Sequence, residues 1–186
     1  MNPVILKDLF RYEGERCHHF FVRVRYRLFV PGFRYIYYLR KCQLTNSWSR
    51  LFYKLCLKLC SYRTHIQIPW ETQIGEGFYI GHWGTIIVNP NTIIGKNFSC
   101  SGSILIGNSQ GKHSGSPVIG DDVRMGQFST VIGGVHIGND VVIAPGAFVN
   151  FDVPDNSVVI GNPGVIHTRD ISPSKPYIVY PVEEYN

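Results

Sequence analysis

The chain has 186 residues, 44% hydrophobic and 17% charged, with a net charge of +5. That is one domain, or one domain with an appendage, with enough apolar residues to bury a core. The apolar runs around 28–33 and 35–39 fall short of the ~20 residues a membrane span needs, and Arg34 and Arg40 interrupt them, which excludes a transmembrane reading. The start MNPVILKDLF predicts no signal peptide. Five cysteines without a C-x-x-C pair predict reduced thiols in a cytoplasmic protein.

The charge is unevenly placed. Residues 1–65 hold thirteen Lys/Arg against Asp8, Glu13 and Glu15, whereas residues 66–186 hold five against ten acids. The first part reads as short helices. A first lies around Ile5, Leu9 and Phe10, and the aromatic, basic run CHHFFVRVRYRLFV follows, closed by Pro31-Gly32 as a break. A second segment, FRYIYYLRKCQL, stops at Thr45-Asn46-Ser47, and a third, SWSRLFYKLCLKLCSY, places Leu51, Lys54/Leu55 and Lys58/Leu59 at three-to-four spacing. Fourteen of the twenty-five aromatics fall here, interleaved with arginine. Such a composition predicts either a solvated helical cap or a peripheral contact with an anionic membrane, with Arg and Lys among headgroups and Tyr, Phe and Trp at the interface. No recognised nucleic-acid motif accompanies the charge, and no nucleic-acid partner is expected.

From Ile68 onward apolar residues recur every six. Ile68, Ile74, Ile80 and Ile86 keep the step, and the register then slips by two to resume at Val88, Ile94, Cys100 and Ile106. After NSQGKHSGSP it restarts at Ile119 and runs to Val149. No α-helix repeats every six residues, and a plain strand repeats every two. The period fits a coil of three short strands and three corners, with one aliphatic inward per strand and corners freed by small residues such as Gly120, Gly126, Gly138 and Ala144. The expected fold is mainly β: a parallel β-helix of hexapeptide repeats at 66–166 with a loop at 108–117, a helical N-terminal region at 1–65 and an extended, mobile tail at 167–186. Residues 151–166 break the period and are expected to turn back along the outside.

On IGEGFYIGHWGTIIV, the loop, the restart and the terminal GNPGVI, the chain resembles the serine-acetyltransferase-like branch of the hexapeptide-repeat acyltransferases over roughly residues 66–166. The start DLFRYEG and the aromatic-basic helices look more like the capsule and exopolysaccharide O-acetyltransferases of that branch. The resemblance implies a left-handed coil, acetyl-CoA as co-substrate, no metal, and a homotrimer with active sites in grooves between subunits. It also implies that His82 is the catalytic histidine. His82 follows inward Ile80 and Gly81, so it projects outward from a corner rather than filling the core. A histidine is mostly neutral near pH 7 and can take the proton of a hydroxyl that must attack a thioester.

Several positions depart from the family's serine enzymes. The Asp that orients the histidine aligns with Gln67, and the acid just before the histidine is Gly81. The histidine that grips serine's carboxylate aligns with Ser116, with His113 close by. Glu71 or a backbone carbonyl is the expected substitute orienter of His82. These losses favour an acceptor without carboxylate and ammonium, hence a sugar hydroxyl, with Asp8, Glu13 and His113 as candidate acceptor contacts. For acetyl-CoA, the resemblance carries Gly107, Gly126-Gln127 and Ala144-Pro145, the last two pairs one coil apart on the same edge, with Lys112 or Arg169 toward the phosphates. Surface or packing roles are expected for His18, His19, His65, His136 and His167.

The expected function is therefore acetyl-CoA-dependent O-acetylation of a sugar in a capsular or other cell-surface polysaccharide or its precursor, in the cytoplasm and peripherally at the inner membrane face. Serine O-acetylation in cysteine biosynthesis is one alternative, and a non-catalytic β-helix scaffold is another. A zinc carbonic anhydrase on the same coil is disfavoured, because IGDDVRMGQFST lacks the paired histidines that zinc would need.

Overall fold

In the computed structural model, which describes residues 1–111 and 113–185, four helices precede a parallel β-solenoid. They are α1 (Pro3–Glu13), α2 (Phe20–Phe29), α3 (Pro31–Leu44) and α4 (Ser47–Thr64). The Asn2 and Asn46 side chains cap α1 and α4 by accepting from the Val4 and Ser49 amides. The break expected at Pro31-Gly32 falls at Val30, extended between α2 and α3, and Pro31 opens α3, in the first turn where a missing N–H costs nothing. α3 is the inner helix, with Phe33, Ile36, Leu39 and Cys42 sealed from solvent.

The solenoid has three faces and about five coils. One face stacks Ile66–Gln67, Ile86–Val88, Ile104–Gly107, Thr130–Ile132 and Phe148–Val149; another stacks Gln73–Ile74, Ile93–Ile94, Val118–Ile119 and His136–Ile137. The third stacks Tyr79–His82, Ser99–Ser101, Arg124–Met125, Val141–Ile143 and Ser157–Ile160, with Val165–Thr168 added antiparallel at its end. Ile80, Cys100, Met125, Ile143 and Val159 form one buried column of the core.

The corner residues work differently from the sequence reading. The left-handed conformation is taken by Asn97, Asp122, Asp140 and Asn156, whose short polar side chains tolerate it. Gly120 and Gly126 do not need that freedom. A Cβ on Gly120 would lie 2.9 Å from the Gly138 carbonyl carbon, and one on Gly126 would lie 2.6 Å from the Pro145 nitrogen. These sites are small because coils stack closely there.

The first coil has no coil beneath it, so its backbone groups would be orphaned. The helices supply the partners. Tyr35 Oη donates to the Ile68 carbonyl and accepts from the Ile68 amide, at 3.0 and 2.9 Å. Gln43 donates to the Trp70 and Thr72 carbonyls. Arg40 donates to the Ile74 and Gly75 carbonyls at 2.7 and 2.6 Å, and Arg11 to that of Gly77 at 2.7 Å. Asp8 accepts from the Phe78 amide at 2.9 Å.

At the other end, residues 151–166 do not simply turn back outside. Ile137 bridges to Val153 and Val141 pairs with Ser157, sixteen residues apart, so a shortened coil continues before the hairpin to Val165–Thr168. The segment from 169 to 185 then descends the third face. The Ser174 amide donates to Asp140, the Val182 amide donates to Asn97, and the Tyr180 and Tyr185 rings meet Phe10 of α1 edge-on. Gly14 is required beneath Tyr180: its φ is +56°, and a Cβ would lie 2.9 Å from the ring.

Candidate active site

His82 ends the strand Tyr79–His82 on the third face. Ile66 pairs with Ile86 and Ile80 with Cys100, twenty residues apart, whereas Ile86 pairs with Ile104, eighteen apart. The first coil thus carries two extra residues between Ile80 and Ile86. One of them makes the irregular register in which Ile80 faces Cys100 and His82 faces Ser101, and the other falls between His82 and Ile86. The slip of two in the sequence is this bulge together with the extra residue after it, and such bulges re-aim a side chain out of the ladder. His82 is exposed.

A cavity of about 430 Å³ opens beside it, between α1, the third face and the descending tail. His82, Tyr79, Arg124, Tyr177 and Tyr180 line it, with Arg11 and Tyr12 at its base. Arg124 donates to Ser101 Oγ at 2.8 Å and lies 5.0 Å from the centre of the Tyr177 ring. Arg11 donates to Gly77 O, Ser99 Oγ and Val179 O, and burial pulls its guanidinium down to about 10, still a cation at neutral pH. Burial pushes the Tyr12 hydroxyl well above the usual tyrosine value, so it serves as a neutral hydrogen-bonding group. Among the described residues no Asp or Glu lines the cavity.

The acids named from the sequence lie elsewhere. Asp8 is fully buried, and its oxygens are taken by Arg40 at 2.8 and 3.2 Å and by the Phe78 amide. It seals the first coil and offers nothing to a ligand. Glu13 accepts from Tyr26 Oη at 2.8 Å and lies near Arg16 and Arg25, outside the cavity lining. Glu71 is exposed and its charge acts on Cys42, on the helical side, so it does not orient His82. Gln67 pairs with Ile87 on the adjacent face. Among the described residues, no side-chain hydrogen bond holds the His82 imidazole.

His113 sits in the excluded loop, which is pinned by a Ser109–Gly115 bridge; its carbonyl accepts from the Gly134 amide at 2.9 Å, and it does not line the cavity. Lys112 lies outside the described residues. Gly126 and Ala144 stack above Ser101 and so continue the edge that His82 begins. Their amides donate to Ile143 O and Val159 O, so they are not free for a ligand, while Gln127 and Pro145 beside them are exposed. Gly107 lies on a different edge, after the face that carries Ile106, where its carbonyl accepts from the Gly133 amide. Sequence reasoning missed Arg124, Tyr79, Tyr177 and Tyr180. Arg124 had a signal, as the only arginine in residues 66–166.

Residues 116–150 match the family model described as bacterial transferase hexapeptide (six repeats). The chain is 34% identical over 100 residues to serine acetyltransferase 2 of Arabidopsis thaliana, covering 53% of this chain and 31% of the relative. It is 30% identical over 125 residues to the protein of Escherichia coli K12 named "Putative colanic acid biosynthesis acetyltransferase WcaB", covering 66% of this chain and 75% of the relative. The chain thus spans about a third of the plant enzyme and three-quarters of WcaB. Among solved structures, soybean serine acetyltransferase complexed with serine superposes with a TM-score of 0.72 at 25% identity, covering 88% of this chain and 68% of that one.

Proposed function

The chain belongs to the serine-acetyltransferase-like branch of the hexapeptide-repeat acyltransferases, and we propose that it transfers an acetyl group from acetyl-CoA to a sugar hydroxyl of a capsular or other cell-surface polysaccharide or its precursor. His82 takes the hydroxyl proton as the oxygen attacks the thioester carbonyl. Collapse of the tetrahedral intermediate breaks the C–S bond, and His82 returns the proton to the departing sulfur. Base catalysis of this kind is typically worth ~10²–10⁴-fold. Acetyl-CoA would lie along the edge marked by Gly126-Gln127 and Ala144-Pro145, its thioester toward His82. In this reading residues 66–166 form the acyltransferase domain, copies assemble as a homotrimer, and residues 1–65 make a peripheral contact with an anionic membrane at its inner face.

The observation that carries the sugar acceptor is the lining of the cavity at His82, which has four tyrosines and two arginines and, among the described residues, no carboxylate. The ammonium of serine would find no counter-charge there, whereas ring faces and phenolic hydroxyls suit a sugar's apolar and polar sides. Serine O-acetylation is the second reading, favoured by the likeness to the Arabidopsis enzyme.

The test is thiol release from acetyl-CoA by wild type and His82→Ala, with L-serine and a panel of sugars and capsule oligosaccharides as acceptors. Turnover with a saccharide and not serine, abolished in the variant, is the expected result. Turnover with serine assigns the second reading, and activity untouched by His82→Ala returns ground to the scaffold reading.

A further inference from the structure

α4 is apolar on two sides. Leu57 and Cys60 pack it onto the core. Away from that contact, Trp48, Leu51, Phe52, Leu55, Leu59 and Tyr62 recur at three- and four-residue spacing and stand between 55% and 88% exposed. A surface helix ordinarily turns its polar side to water, and a contiguous apolar stripe of this kind marks an interaction surface. Lys58 and Arg63 flank it, both exposed. The stripe sits within a longer asymmetry: from Arg16 to Trp70 there are eleven Lys/Arg and no Asp or Glu. No helix among the described residues is long and apolar enough to cross a membrane.

We infer that this face of α4 lies in the plane of an anionic lipid surface, with Leu51, Leu55 and Leu59 at the acyl boundary, Trp48 and Tyr62 at headgroup level and Lys58 and Arg63 against phosphates. Charge decides between lipid and a second copy. Another copy would bring the same acid-free helices to the contact. The inference deepens the peripheral-contact part of the reading above and does not depend on which acceptor is acetylated.

The experiment is co-sedimentation of the full chain with vesicles of phosphatidylcholine containing phosphatidylglycerol, against phosphatidylcholine alone. Binding to the anionic vesicles, falling steeply with salt, is expected. Lys58→Gln with Arg63→Gln lowers the partition coefficient by about tenfold or more, since each cation near such a surface contributes roughly fivefold. Leu55→Glu abolishes binding and leaves the circular dichroism and thermal midpoint unchanged. Equal binding to neutral vesicles, no binding, or full binding by Leu55→Glu overturns the inference. So does lipid-independent self-association that Leu55→Glu abolishes, which gives the face to a second copy. Sedimentation reads all of these whether or not acetyl transfer is detected.

Discussion

Tyr12 Oη stands between the two backbone groups of Ile80, donating to the carbonyl at 3.0 Å and accepting from the amide at 2.9 Å. Tyr35 does the same for Ile68. Each phenol takes the place of a missing coil, so the helical region is the floor of the solenoid as well as its neighbour. Ile80 lies two residues before His82, at the register irregularity that turns the histidine outward. Tyr12 therefore fixes the strand from which the proposed base projects.

Tyr12→Phe should leave the Ile80 amide and carbonyl without that partner. The cost is about 1–3 kcal/mol, that of an unsatisfied buried group, read as a lower urea midpoint at unchanged slope. Tyr35→Phe should cost about as much. Only Tyr12→Phe should also lower acetyl transfer, because only its strand carries His82. Equal activity of the two variants would separate the Ile80 contact from the site.

Asp8→Asn should act as a stability variant. The Asp8–Arg40 pair is sealed, with side-chain exposures of 0% and 3%, and removing one charge of a buried pair typically costs ~3–5 kcal/mol. An acceptor-binding acid would instead change the acceptor KM and leave the urea midpoint in place. The expected outcome is a large drop in midpoint, with the acceptor KM of the folded fraction unchanged.

The six-residue step was legible because each strand of a coil buries one aliphatic, a pattern no other element makes. The slip of two was legible as well, though not its consequence, since a bulge is defined by pairing with the next coil. Asp8 was misread for a related reason. A charged residue in a helix reads as surface until the open edge of the first coil is known, and the sequence does not show that edge. Tyr177 and Tyr180 were hidden by the prolines around them: a Pro-rich end reads as mobile, and only the docking of Val182 on Asn97 and Tyr180 on Gly14 brings it to the site.

Arg124→Met should weaken acceptor binding rather than the acyl donor step. The guanidinium is held by Ser101 and faces the Tyr177 ring beside His82, and a hydrogen bond from a charged group is worth roughly 1.5–3 kcal/mol. Acceptor KM should rise by about tenfold or more, with the KM for acetyl-CoA and kcat within a few-fold. An unchanged acceptor KM would remove this cavity as the acceptor site.

The core thiols make a prediction at alkaline pH. Burial pushes Cys100 from 9.0 to about 12 and Cys17 and Cys42 to about 11. In the unfolded chain these thiols ionise near 9, while the folded chain holds their protons. The unfolded state therefore binds fewer protons above that value, and stability falls as pH rises. The contribution is whole below about pH 9 and is lost toward the folded values of about 11 and 12, at roughly 1.4 kcal/mol per pH unit for each thiol. Urea unfolding under reducing conditions should give a flat free energy from about pH 7 to 8 and a steep decline by about pH 10. Cys100→Ala starts lower because it opens a core cavity, yet its decline above pH 9 should be shallower by one thiol's share. An unchanged slope would mean that Cys100 is not sealed between Ile80 and Met125.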